Sequence, residues 1–131
     1  MVQRKVKTHP ARALAIEAAR LAEERHATDV LVLDLRGISP VTDYFVIFTG
    51  TSDRQMGSVA EEIMGKARPY GYRPMDTASL TSSRWVLLDF VDVVVHAFDQ
   101  AHRKFYDLES MWGDAPRVRW KRPNRSKKAK S

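Results

Sequence analysis

The stretch that decides the fold is WVLLDFVDVVVH, residues 85–96. Two apolar runs rich in β-branched residues, Trp85–Phe90 and Val91–Phe98, meet at a pair of carboxylates, Asp89 and Asp92. Runs of this kind, joined by turn-forming residues, are typical of neighbouring strands in a sheet. We therefore predict a tight β-hairpin with both carboxylates near its turn.

Two further apolar runs lie upstream of this hairpin. VLVLDL, residues 30–35, is short and β-branched, and DYFVIFT, residues 43–49, is nearly all apolar and aromatic. Gly37, Ser39 and Pro40 lie between them and mark a loop. Both runs are predicted to be buried strands, and residues 72–76 could form another short extended piece.

Apolar residues at helical spacing predict the helices. The first helix follows Thr8 and Pro10 and carries one apolar face, formed by Leu14, Ala18, Leu21 and Ala22. The second begins at Ser52 and Gln55, which have the spacing of a capping box. Its apolar face is the longest in the chain and comprises Met56, Val59, Ala60, Ile63, Met64 and Ala67.

A last helix is predicted after Asp99, with Phe105, Leu108 and Trp112 on one side. The element order is then α-β-β-α-(β)-β-β-α. That order predicts an α+β domain, an α/β sandwich, in which helices pack on a mixed sheet of about five strands. Residues 1–116 are predicted to form this single domain.

The basic charge of the chain is concentrated after residue 116. Residues 117–131 contain eight Lys or Arg and no acid, whereas residues 1–116 contain 14 basic and 16 acidic side chains. A basic tail on a mildly acidic domain favours contact with a polyanion, although it could simply be a solubilising, disordered end. The candidate RNA-contact residues are Arg117, Arg119, Lys121, Arg122, Arg125, Lys127, Lys128 and Lys130.

Composition excludes several classes of function. The absence of cysteine excludes disulfides, thiolate metal sites and thiol nucleophiles. No apolar run approaches the roughly 20 residues of a membrane-spanning helix. The basic start, MVQRKVKTHPARALA, is acid-free like a transit peptide, but it is short and runs straight into the first predicted helix. We expect a cytoplasmic protein.

An enzyme is the main alternative that the sequence leaves open. Gly50–Ser52 lies between a strand and a helix, where backbone N–H groups can bind phosphate. Carboxylates at strand ends could hold a divalent metal, as in nucleotidyltransferases. Four carboxylates lie at predicted strand ends: Asp34, Asp43, Asp89 and Asp92. Those enzymes carry Asp-x-Asp on a strand, which this chain lacks. We therefore assign no catalytic residue, metal ligand or cofactor, and interpret His96 as a structural histidine rather than a catalytic one.

The last third of the chain resembles a known family. Its sequence is similar to that of ribosomal silencing factor S, the Iojap family. The matching residues are the string from Trp85 to His96, followed by Arg103, Tyr106, Leu108, Glu109 and Trp112. The family's pattern there is W-x-x-x-D-[FL]-G-D-x-[VI]-V-H and then R-x-x-Y-x-L-E-x-x-W. Upstream matches are Asp34, Thr42–Phe45 and Thr49–Ser52. In two departures, Val91 replaces the family's Gly, and Ala78-Ser79 replaces a Glu-Gly pair.

The resemblance implies a fold and a function. Family members have a nucleotidyltransferase-like fold without its catalytic motif, and some are homodimers when free. They bind the subunit-facing side of the large ribosomal subunit, chiefly its fourteenth protein, and block joining of the small subunit when nutrients are scarce. Matched positions imply partner contact for Trp85, Asp92, Tyr106, Leu108, Glu109 and Trp112, with Tyr44 as a weaker member. Asp43 and Asp89 are expected to fix loop and turn geometry. A general RNA-binding protein acting through the tail remains another alternative.

Overall fold

A computed structural model describes residues 10–74, 85–100 and 114–121, and for Trp85 only the backbone. Its described part contains a four-stranded sheet. The strands are β1 (Thr28–Asp34), β2 (Tyr44–Thr49), β3 (Trp85–Asp89) and β4 (Val93–Phe98). They occupy the four apolar runs that the sequence predicted as strands, because β-branched and aromatic residues pack well on a pleated, buried surface.

The sheet is mixed, with the strand order β1-β2-β4-β3. β1 pairs antiparallel with β2, and β3 pairs antiparallel with β4, which confirms the predicted hairpin. The two antiparallel pairs are joined by a parallel pairing of β2 with β4, in which Tyr44 lies opposite Val93. The α+β class is confirmed, with four described strands rather than about five, since residues 72–74 form no strand. The nucleotidyltransferase-like detail stays a prediction.

Among the described residues, two long helices pack on the sheet: α1 (Pro10–Glu24) and α2 (Asp53–Ala67), the latter followed by a 3-10 turn, Arg68–Tyr70. At the start of α2, the Ser52 hydroxyl accepts a hydrogen bond from Gln55 N at 3.0 Å. The Gln55 side chain departs from a standard capping box, because its Oε1 accepts from Thr51 N at 2.9 Å. Its Nε2 donates to Arg25 O at 2.7 Å, which ties α2 to the end of α1.

In the part of the chain that the structure describes, the core has two parts, one on each face of the sheet. The larger lies between the sheet and the helices, and it buries every residue of the predicted α1 face. Of the predicted α2 face, Met64 is only partly buried. The smaller cluster contains Leu33, Ile47 and Phe98 on the opposite face, together with Leu35 and Ala115. Side chains alternate between the faces along each strand, so both faces contribute to the stability of the domain.

The segment 114–121 lies along the outer edge of β1. Pro116 O accepts from Asp34 N and Val118 N donates to Val32 O, both at 2.8 Å. Val118 is buried, and Trp120 packs against the larger core. We expected a disordered tail from residue 117 onward. The structure differs for residues 117–121, because the apolar side chains of Val118 and Trp120 attach them to the domain; residues 122–131 lie outside the described residues.

Candidate docking surface

The turn between β3 and β4 contains two of the candidate residues, Asp89 and Asp92. Val91 N donates to Asp89 Oδ1 at 2.8 Å. Asp92 N donates to Phe90 O at 2.9 Å, closing a three-residue turn centred on Val91. Val91 has a φ of 75°, a conformation that is strained for a β-branched residue. Asp89 therefore accepts a hydrogen bond within the turn, and its role in fixing the turn geometry stays a prediction.

The loop of residues 35–43 is fastened to this turn by the backbone of Asp43. Asp43 N and Tyr44 N both donate to Asp92 O, each at 3.0 Å. Asp43 O in turn accepts from Leu35 N at 2.8 Å. The loop 35–43 and the turn 89–92 thus form one continuous surface at one end of the sheet, which we call the loop edge.

Asp92 is the described partner-contact candidate that remains within reach of solvent. Its side chain is half-buried, and its Oδ2 accepts a hydrogen bond from the Tyr72 hydroxyl at 2.9 Å. Burial, followed by this hydrogen bond to a carboxylate, raises the pKa of Tyr72. Tyr72 therefore stays a neutral donor at physiological pH and holds Asp92 at the loop edge.

Tyr44, the weaker candidate, lies inside the domain. Its side chain is fully buried, and burial raises the pKa of its phenol. The guanidinium of Arg36 lies 5.4 Å from the ring centroid, within the range of a cation–π contact. A direct contact of Tyr44 with a partner, as predicted, would need this packing to open. The structure favours a core role instead.

Three of the four carboxylates considered as metal ligands accept hydrogen bonds from the protein. Asp34 forms a bidentate ion pair with Arg36 at 2.9 and 2.7 Å, and this pairing lowers the pKa of Asp34. Asp89 and Asp92 accept the bonds already described. In the part of the chain that the structure describes, no three His, Cys, Asp or Glu side chains are grouped to hold a metal ion. Across the same residues, no helix is long and apolar enough to cross a membrane.

The turn proposed as a phosphate site is likewise occupied by its own side chains. Thr51 N and Gln55 N are both taken by the hydrogen bonds that begin α2. Gly50 is required for a steric reason, because a Cβ at this position would lie less than 3 Å from Sδ of Met56. These contacts make the turn a helix start packed closely on the core.

His96 is buried in β4, as expected for a structural histidine. Its ring stacks on Phe98 with centroids 6.0 Å apart and meets the edge of Phe45 at 4.6 Å. Burial lowers the pKa of His96 to about 4, so the imidazole is neutral at physiological pH.

The remaining candidates are only partly covered. Trp85 begins β3 and pairs with Phe98 through its backbone. Tyr106, Leu108, Glu109 and Trp112 lie outside the described residues, as do the tail residues Arg122, Arg125, Lys127, Lys128 and Lys130. Arg117, Arg119 and Lys121 are exposed, and Lys121 forms an ion pair with Glu23 at 3.2 Å. Ile38 and Val41 are two exposed aliphatic residues at the loop edge that the sequence did not predict, because the predicted contact residues were chiefly aromatic and charged.

Comparison with known proteins identifies the family. Residues 8–131 match the model of a family described as ribosomal silencing factor during starvation. The chain belongs to this family. The ribosomal silencing factor RsfS of Bacillus subtilis is 44% identical over 99 residues, which cover 76% of this chain and 84% of that protein. The chloroplastic protein Iojap of Zea mays is 36% identical over 104 residues, covering 77% of this chain and 44% of that protein.

A solved structure supports the same assignment. A crystal structure of a Bacillus halodurans protein is 33% identical, with a TM-score of 0.67 over 86% of this chain and 99% of that one. The membership confirms the resemblance that began at Trp85–His96. Within the silencing-factor pattern, Val91 is the departure that the structure describes, and its strained backbone is what the loss of Gly predicts.

Proposed function

We propose that this chain silences translation by binding the subunit-facing side of the large ribosomal subunit, so that the small subunit cannot join. The observation that carries the proposal is the family match, which spans residues 8–131. It is supported by relatives that are named as silencing factors and that align over most of their own length. Such a protein would act in the cytoplasm and respond to nutrient limitation.

The proposed mechanism is steric occlusion, which requires binding and no chemical step. An interface of about 1,200–2,000 Å² is enough for specific protein recognition. The main partner would be the fourteenth protein of the large subunit. Asp92 at the loop edge is the described residue best placed for this contact, with Trp85, Tyr106, Leu108, Glu109 and Trp112 as further members of the same interface.

Sedimentation with purified ribosomal subunits tests the proposal directly. We expect the protein to migrate with the large subunit and not with the small one, and to reduce the fraction of joined ribosomes. Migration with neither subunit would contradict it. Isothermal titration with nucleotide and magnesium addresses the enzyme alternative, because binding that is lost in Asp89→Asn and Asp92→Asn would favour a nucleotidyltransferase.

The basic tail would add a contact with nearby ribosomal RNA. The test is truncation after Lys121 rather than after Pro116, because residues 117–121 pack on β1 and contribute to the fold. This cut removes Arg122, Arg125, Lys127, Lys128 and Lys130. We expect weaker binding at low salt and a shallower dependence of affinity on salt, since fewer counterions are released on binding. An unchanged salt slope would rule out the tail contact.

A further inference from the structure

The loop edge carries all three of the large hydrophobic side chains that are exposed in the described residues. Val41 is 76% exposed, Val91 50% and Ile38 42%. Ile38 and Val41 lie in the loop 35–43, and Val91 lies in the turn that this loop contacts through Asp43 N and Asp92 O. Exposed apolar side chains that gather at one edge of a domain are typical of interaction sites.

The conformation of Val91 adds an independent observation. A positive φ is unfavourable for valine, and Val91 keeps it while half of its side chain faces solvent. Strain of this kind persists where the surrounding structure imposes it, and it concentrates at sites that bind ligands or partners. Here the bonds that Asp89 Oδ1 and Phe90 O accept from Val91 N and Asp92 N hold the turn.

Charge at the loop edge indicates the kind of partner. Three carboxylates lie there, Asp43, Asp89 and Asp92, and Arg36 is the one cation within residues 35–43 and 89–92. Arg36 is already engaged with Asp34. An apolar centre with an acidic rim complements a protein surface with aliphatic side chains framed by Lys or Arg, and it repels the phosphates of RNA.

We infer that Ile38, Val41 and Val91 form an apolar docking patch for a basic protein surface, which the proposed function identifies as that of the ribosomal protein partner. This inference rests on the proposed function and extends its interface to residues that the family pattern does not assign. The chain then has two separate recognition elements: the loop edge for protein and the basic tail for RNA.

Large-subunit binding by purified variants tests the patch. Ile38→Ser and Val41→Ser remove apolar surface without adding charge, and each should raise Kd about three- to tenfold. Val41→Lys should raise Kd more than tenfold, because it places a cation opposite a basic surface. Ser58→Lys, at an exposed position on α2, adds the same charge away from the patch and should leave Kd unchanged.

Val91→Gly separates binding from folding. Glycine adopts the positive φ without strain, so the melting temperature of this variant should rise by about 2–4 °C. Its Kd for the large subunit should also rise, because apolar surface is lost from the patch. If the wild-type chain binds and all these variants bind equally well, the patch is wrong and the proposed function stands. Tighter binding by Val41→Lys would mean that this edge meets RNA and would overturn the inference. Failure of the wild-type chain to bind would overturn both.

Discussion

The hydroxyl of Tyr72 donates a 2.9 Å hydrogen bond to Asp92 Oδ2, joining the segment that follows α2 to the turn between β3 and β4. The Tyr72 ring also meets Phe90 edge-on, with centroids 6.5 Å apart. One side chain therefore fixes both the buried residue and the acidic residue of the turn. The position of Asp92 depends on this contact from outside the hairpin.

Tyr72→Phe removes this hydrogen bond and keeps the ring. We expect a loss of about 1–2 kcal/mol in the free energy of unfolding, measured by urea denaturation, because the acceptor is a carboxylate. Large-subunit binding should also weaken, because Asp92 loses its support. Tyr70→Phe is the matched control: its hydroxyl bonds Glu17 on α1, so it should leave binding unchanged. Equal binding by both variants would contradict a positioning role for Tyr72.

Tyr72 and Tyr70 also predict how stability responds to alkali. Burial and the bond to Asp92 raise the pKa of Tyr72, and the bond to Glu17 raises that of Tyr70 to about 12. A raised pKa means that folding favours the neutral phenol. Its contribution is complete below the unfolded pKa of about 10 and is lost as pH rises through the folded values. Denaturation from pH 9 upward should show this fall, and each Phe variant should make it shallower.

His96 predicts a response to acid. Its folded pKa of about 4 lies below the ordinary value of 6.5, so folding favours the neutral imidazole. The contribution is complete above pH 6.5 and falls as pH drops toward 4, by about 3 kcal/mol at 1.36 kcal/mol per pKa unit. His96→Gln should flatten this part of the stability curve even if it lowers stability at pH 7. A slope that survives the substitution would assign the effect to other groups.

The segment 114–121 should contribute measurably to stability. A chain cut after Pro116 loses the buried Val118, the packed Trp120 and the bond from Arg20 Nε to Trp120 O, which is 2.6 Å. We expect its free energy of unfolding to be about 2 kcal/mol lower than that of a chain cut after Lys121, because burying a single valine contributes about 1.5–3 kcal/mol. Chemical denaturation of the two truncated chains measures the difference. Identical midpoints would show that the segment contributes nothing.

Gly50 and Gly65 should respond oppositely to alanine. At Gly50 a Cβ would displace Met56, which is buried, and Gly50→Ala should lose about 1–3 kcal/mol, as overpacked cores do. At Gly65 on α2 a Cβ would meet nothing, and Gly65→Ala should gain up to about 1 kcal/mol from helix propensity. Thermal denaturation of both variants tests the pair. A neutral Gly50→Ala would mean that Met56 repacks freely.

Periodicity was enough to locate the described strands and both helices, because each buries one repeating face. It could not supply the strand order, since the parallel pairing of β2 with β4 depends on contacts across the whole domain. The segment 114–121 was misjudged from charge, although the alternation of Arg117, Val118, Arg119 and Trp120 is itself a strand pattern. Ile38 and Val41 at the loop edge were also missed, because isolated aliphatic residues in a loop carry no periodic signal.

The bond between Arg20 and Trp120 joins residues that are 100 positions apart. Together with the parallel pairing of β2 and β4, it gives the domain many contacts between distant parts of the chain. Folding of such a topology is slow, because loop closure must precede the stabilising contacts. Until residues 116–118 arrive, the outer edge of β1 presents free backbone groups to other chains. During synthesis, this edge is open to pairing with strands of other chains.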